Sequence, residues 1–115
     1  MSESKSVNVH TFSGKEEDYE LFWPRFEAYA NMKGFAEALD YKNPDPDLPV
    51  KEKDLSADDD IKKKQQEAVK RNKIAIAAFT LAFKTKADMN MINEAKSDEW
   101  PRGLARLVAK ELKES

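Results

Sequence analysis

Residues 74 to 83 read Ile-Ala-Ile-Ala-Ala-Phe-Thr-Leu-Ala-Phe, a run that is apolar on nearly every side of a helix. A helix that is apolar all round is typical of one covered by its neighbours. We predict that this helix begins at the capping box Ser56-x-x-Asp59 and ends near Phe83. The turns before Asn72 are polar, so the first half should project into water and the second half should form the centre of the fold.

An aromatic stripe precedes this central helix. Apolar residues recur every three or four positions from Tyr19 to Ala30, which predicts an amphipathic helix. A capping box, Ser13-x-x-Glu16, stands before it. Pro24 lacks an N–H and is poorly tolerated beyond the first turn of a helix. Either the regular helix begins near Phe22, or the segment kinks there.

A long connection follows the aromatic helix. Gly34 is predicted to end that helix, and Phe35–Leu39 to form a short helical turn. Residues 40 to 55 hold three prolines among Asp, Lys and Asn, so we expect an exposed, mobile loop without regular structure. A loop of this length is either functional or simply tolerated. We favour the tolerated loop, because no group of residues in it resembles a site.

Two shorter helices are predicted after the central one. Thr85-x-x-Asp88 has the form of a capping box, and Met89 and Ile92 would face inward. Ser97 is predicted to cap the last helix. The apolar stripe of that helix comprises Trp100, Leu104, Leu107, Val108 and Leu112. The sequence therefore predicts an all-α fold, a compact bundle of four to five helices in residues 12–115 behind a flexible leader at residues 1–11.

Composition excludes several classes of function. The chain has 115 residues, which suits one domain, and its 20 basic and 22 acidic residues leave a net charge of −2. This balance argues against the strong phosphate binding of a nucleic-acid module. The absence of cysteine excludes disulfides, thiol nucleophiles and cysteine-ligated zinc. No apolar run is long enough for a signal peptide or a membrane span, so we expect a soluble cytoplasmic protein.

No residue pattern in the chain predicts catalysis. The single histidine, His10, lies in the leader, where a general base or metal ligand is improbable. The run Asp58-Asp59-Asp60 lacks the alternate spacing, central glycine and distant glutamate of an EF-hand loop. It is better explained by the positive end of a helix dipole. We expect no catalytic residue, no metal and no cofactor.

A cluster of basic residues allows two interpretations. Lys62–Lys64 with Lys70, Arg71 and Lys73 could form a nucleic-acid patch. However, acids stand four residues before several of them, as in the pairs Asp58–Lys62, Asp59–Lys63, Asp60–Lys64 and Glu67–Arg71. Such pairs favour a solvated helix face whose charges cancel. We therefore predict only weak affinity for RNA.

The aromatic residues also allow more than one interpretation. They could line a ligand cage or a partner surface, but at helical spacing they more often form a core. We favour the core, and we name nine candidate core or assembly anchors. They are Phe12, Phe22, Trp23, Phe26, Phe79, Phe83, Trp100, Leu104 and Val108.

The order of these motifs resembles a known family. F-x-G at Phe12–Gly14 is followed by the aromatic helix around Trp23 and by G-F-x-x-A-L at Gly34–Leu39. A helix carrying Asn72 and then E-W-P-x-G-L-A at Glu99–Ala105 complete the set. This arrangement, over roughly residues 7 to 112, resembles the N-terminal capsid-type domain of Gag-like polyproteins of copia-type LTR retrotransposons.

The resemblance implies a structural protein with a retroviral-type capsid fold. Such a domain acts through protein–protein interaction and self-assembly into a particle, so we expect a homo-oligomer. The alternative is a Gag-derived adaptor that binds a partner peptide or helix in a groove between its helices. In the family a second helical half and a zinc knuckle follow the last helix, whereas this sequence stops at Ser115. We therefore expect RNA contact only through regions outside this chain, which would be a trimmed fragment or a shortened, domesticated gene.

Overall fold

The computed structural model describes residues 12, 16–43, 45–49, 51, 54–97 and 103–114. Four α-helices account for most of them: α1 (Glu16–Lys33), α2 (Asp59–Ala82), α3 (Lys86–Ser97) and α4 (Leu104–Glu114). A short 3-10 turn, Ala36–Leu39, follows α1. No strand occurs among the described residues, where one isolated bridge joins Phe12 to Phe83. The predicted all-α bundle is confirmed.

Helix α1 begins earlier than Phe22, where one of our two alternatives placed its start. It starts at Glu16, so a helix start near Phe22 is wrong. Pro24 lies inside the helix, at an exposed position, although it lacks the N–H that would donate to the preceding turn. The helix ends at Gly34 as predicted. Gly34 has a φ of +80°, and the N–H of Phe35 donates to the carbonyl of Ala30 at 3.0 Å, which closes the last turn.

The start of α2 differs from the predicted capping box. Asp58, not Ser56, is the N-cap: its Oδ1 accepts from the N–H groups of Asp60 at 3.0 Å and Ile61 at 3.1 Å. A carboxylate at this position forms charge-assisted hydrogen bonds, which are stronger than those of a hydroxyl. Ser56 lies two residues before this N-cap, where its Oγ accepts from the N–H of Asp58 at 3.1 Å and its own N–H donates to Oε1 of Gln65 at 2.7 Å.

The second half of α2 is buried on one side only. Ala75, Ala78, Phe79 and Ala82 are buried, but Leu81 is 68% exposed. The expectation that residues 74–83 would be covered all round is therefore wrong. The other helices pack against one face of α2, and composition alone does not indicate how many faces a small bundle can cover.

The last helix starts later than predicted. Helix α3 begins after Thr85, whose Oγ1 accepts from the N–H of Asp88 at 3.1 Å, as the capping box predicts. Ser97, however, is the last residue of α3 and does not cap a following helix, since α4 begins only at Leu104. Trp100 lies outside the described residues, as do the leader and Ser13.

The Pro-rich connection is less exposed than expected. Asp45, Leu48 and Pro49 are buried. Leu48 packs against Ala68 of α2 in a small cluster beside the main core. The described part of residues 40–55 forms turns and bends, and it is anchored to α2 by an apolar and an ionic contact that no local pattern indicates.

Candidate functional site

The candidate anchors come together as an interior and do not form an open cage. Seven of the nine are buried, namely Phe12, Phe22, Trp23, Phe26, Phe79, Phe83 and Val108, whereas Leu104 is half-buried and Trp100 lies outside the described residues. Phe26 stacks on Phe79 with ring centroids 4.6 Å apart, and on Phe22 at 5.1 Å. Stacked and edge-on rings at such distances fill the space between α1 and α2. Within the described residues these side chains pack against one another as one cluster.

Trp23 connects this interior to the surface. Its indole is 6% exposed, and Nε1 is buried without a hydrogen-bond partner among the described residues. The Nζ of Lys113, near the end of α4, lies 4.7 Å from the centroid of the Trp23 ring and 3.8 Å from Oε1 of Glu27. A cation above an indole is attracted by the ring quadrupole. Trp23 therefore joins α1 to α4.

A buried amide joins α2 to the start of α4. Asn72 is 2% exposed, and its Oδ1 accepts from the N–H of Ala105 at 2.9 Å. This N–H belongs to the first turn of α4, where backbone donors have no partner within the helix. Gly103 makes the approach possible: its φ is +103°, and a Cβ there would lie 3.2 Å from Asn72 Oδ1 and 2.9 Å from Leu48 Cδ1. Both residues belong to the family-like motif, but their contact was not predicted.

A second buried polar contact holds the Pro-rich connection. Arg71 donates from Nη2 to Oδ2 of Asp45 at 2.7 Å and from Nε to the same oxygen at 3.2 Å. Burial alone would lower the pKa of Arg71, but the hydrogen bond and charge of Asp45, with weaker effects of Glu37 and Asp47, raise this pKa above its usual value. The expected Arg71–Glu67 pairing is replaced by this longer-range one. A guanidinium held in its charged form fixes structure and transfers no proton.

An apolar stripe runs along the side of α1 that faces away from the core. We call it the α1 outer stripe, and it consists of Leu21, Pro24, Ala28 and Met32. Leu21 is 49% exposed and Met32 is 63% exposed. The spacing of these four positions places them on one face over three turns. The spacing of these residues is present in the sequence, but the aromatic stripe on the opposite face gives a stronger apolar signal.

The surface of the described residues includes two depressions. A cleft of about 390 Å³ lies between α1, the 3-10 turn and α4, with Glu27, Asn31, Leu39, Tyr41 and Lys113 among its lining residues. Near its edge Asp40 accepts from the backbone N–H groups of Asn43 and Lys42, which lowers the pKa of its carboxyl. That carboxylate is therefore engaged in a turn.

The second depression, which we call the α2 groove, has a volume of about 340 Å³ and is lined by Leu55, Gln66, Val69, Lys70 and Lys73. Within the described part of the chain, no three His, Cys, Asp or Glu side chains lie close enough to hold a metal. His10 lies outside the described residues. Among the residues that the structure describes, no helix combines the length and apolar composition that crossing a membrane requires.

No family model, curated protein or solved structure shows significant similarity to this chain. The resemblance of the motif order to copia-type Gag domains therefore stays a prediction.

Proposed function

We propose that this chain is a capsid-type domain of the Gag class that acts inside the cell by self-association into a larger particle. The motif order from Phe12 to Ala105 suggests the class. The described interior is filled by its own rings, which leaves surface contact as the means by which the domain acts. No cofactor and no reaction are part of this proposal.

The observation that carries the proposal is the α1 outer stripe. Solvent-facing sides of helices are normally polar, so aligned apolar side chains on such a side indicate contact with another protein. Leu21 and Met32 are the two ends of the stripe and its largest apolar side chains. Two α1 helices packed antiparallel therefore bring Leu21 of each copy opposite Met32 of the other, and Ala28 allows close approach. An antiparallel contact of this kind is a two-fold contact between identical chains.

Sedimentation velocity of purified protein over a range of concentrations tests this contact. Met32→Glu places a charge in the stripe and should lower the average mass at concentrations where the wild type associates. Leu81→Glu is the matched control, because Leu81 is 68% exposed on the outer side of α2, and it should behave as the wild type. A wild type that is monomeric at all concentrations, or a Met32→Glu variant that associates normally, contradicts the proposal.

The cleft between α1 and α4 supports a second candidate, the adaptor. Its apolar floor at Ala36 and Leu39 and its charged rim at Glu27 and Lys113 are suited to a peptide side chain flanked by polar backbone. An adaptor would stay monomeric and select peptides from a displayed library. Ala36→Trp, which fills the cleft, should abolish that selection, whereas Ala57→Trp at an exposed position should not.

A further inference from the structure

The α2 groove combines an apolar floor with a basic rim. Leu55 and Val69 are half-buried and form the floor, while Lys70 and Lys73 are exposed beside it. Neither lysine forms an ion pair with a residue that the structure describes. Arg71, between them in sequence, is directed elsewhere and is held by Asp45. The groove therefore fits a segment that offers one apolar side chain together with carboxylates.

The same chain presents such a segment at the start of α2. Residues 57–64 are all exposed, so the first turns of the helix extend beyond the packed body. Ile61 is 51% exposed although it continues the line of Ala68 and Asn72 on the core-facing side. We call Asp58–Ile61 the α2 tip. The carboxylate of Asp58 caps the helix, and Asp59, Asp60 and Ile61 are exposed in its first turn.

We propose that the α2 tip of one copy docks in the α2 groove of a second copy. Ile61 covers Leu55 and Val69, and Asp59 and Asp60 face Lys70 and Lys73. This inference rests on the proposed self-association and assigns it a second contact. Because tip and groove are different surfaces, the contact is heterologous and repeats from head to tail.

Nucleic acid fits the groove less well. A phosphate backbone would use the two lysines but would leave Leu55 and Val69 uncovered, and no aromatic ring lines the groove for base stacking. Asp59 and Asp60, on the same helix, would repel phosphate. The apolar floor therefore favours a protein segment, and the net charge of −2 agrees with a groove of only local basic character.

Charge exchange in the full chain tests the contact. In sedimentation velocity at about 50 mM salt, K70E/K73E and D59K/D60K should each weaken head-to-tail association by about tenfold or more, since like charges then meet. An equimolar mixture should restore it, because each tip then meets a groove of opposite sign. Association of the wild type should also weaken as salt rises. K84E/K86E, which changes two exposed lysines elsewhere, is the control and should match the wild type. Circular dichroism checks that each variant is folded.

The outcomes separate this inference from the proposed function. If the wild type does not associate at any concentration, both the proposed function and this inference are contradicted. If the wild type associates and Met32→Glu weakens it, but K70E/K73E has no effect or the mixture does not recover, only the tip-and-groove contact is overturned. It is also overturned if K70E/K73E instead abolishes binding of a labelled RNA or of a foreign acidic peptide to a monomeric wild type.

Discussion

At the scale of single residues, Asn72 shows how a helix can be capped from outside its own segment. Its Oδ1 accepts from the N–H of Ala105, so Asn72→Ala leaves a buried donor without a partner. Such a loss costs about 1–3 kcal/mol of unfolding free energy. Urea denaturation of Asn72→Ala should show this loss, and Asn93→Ala, at an exposed position of α3, should stay within about 0.5 kcal/mol of the wild type. If Asn72→Ala were as stable as Asn93→Ala, a water molecule would have to accept the hydrogen bond of the Ala105 N–H in place of Asn72.

Two glycines allow a matched test at the same scale. Both have positive φ, but a Cβ at Gly34 meets nothing within 4 Å, whereas one at Gly103 would lie 2.9 Å from Leu48. Gly34→Ala should therefore cost only the backbone term of about 1–2 kcal/mol. Gly103→Ala should cost more, because Leu48 and Asn72 must also move. Thermal unfolding of the two variants gives the comparison, and a Gly103→Ala variant as stable as Gly34→Ala would contradict the described packing.

At the scale of elements, the Asp45–Arg71 pair ties the Pro-rich connection to α2. The Asp45 side chain is 1% exposed and that of Arg71 is 19% exposed. Removing one partner of a buried pair leaves an uncompensated charge, and Arg71→Ala should cost about 3 kcal/mol. Asp45→Asn should cost less, because the hydrogen-bond acceptor remains. Lys63→Ala, on the exposed side of α2, serves as the control for chemical denaturation. If the denaturation midpoint of Arg71→Ala equalled that of Lys63→Ala, Leu48 alone would anchor the Pro-rich connection to α2.

Local signals in the sequence predicted where helices exist better than where they begin. Gly34 and Thr85 act through their nearest neighbours in the chain, and both predicted boundaries are correct. The first turn of α4 has a capping partner in Asn72, which lies far away in sequence, whereas Ser97, the predicted cap, belongs to α3. Arg71 likewise had an apparent local partner, while its actual partner lies on another segment. Buried polar contacts between distant segments leave no periodic signal, so the surfaces that they position could not be predicted.

At the scale of the whole molecule, the two proposed contacts predict which assemblies can form. The α1 outer stripe closes on itself about a two-fold axis, so alone it yields a dimer and no larger species. The tip-and-groove contact does not close on itself, so alone it yields open chains whose length grows with concentration. K70E/K73E should therefore sediment as a discrete dimer and Met32→Glu as a broad series of chains. The triple variant M32E/K70E/K73E, which lacks both contacts, should sediment as a monomer. In the wild type the dimers would be linked through their tips and grooves into larger particles that dissociate to dimers as salt screens Asp59 and Asp60 from the lysines. Salt-independent particles, or a triple variant that still associates, would mean that another surface, such as Leu81, carries the assembly.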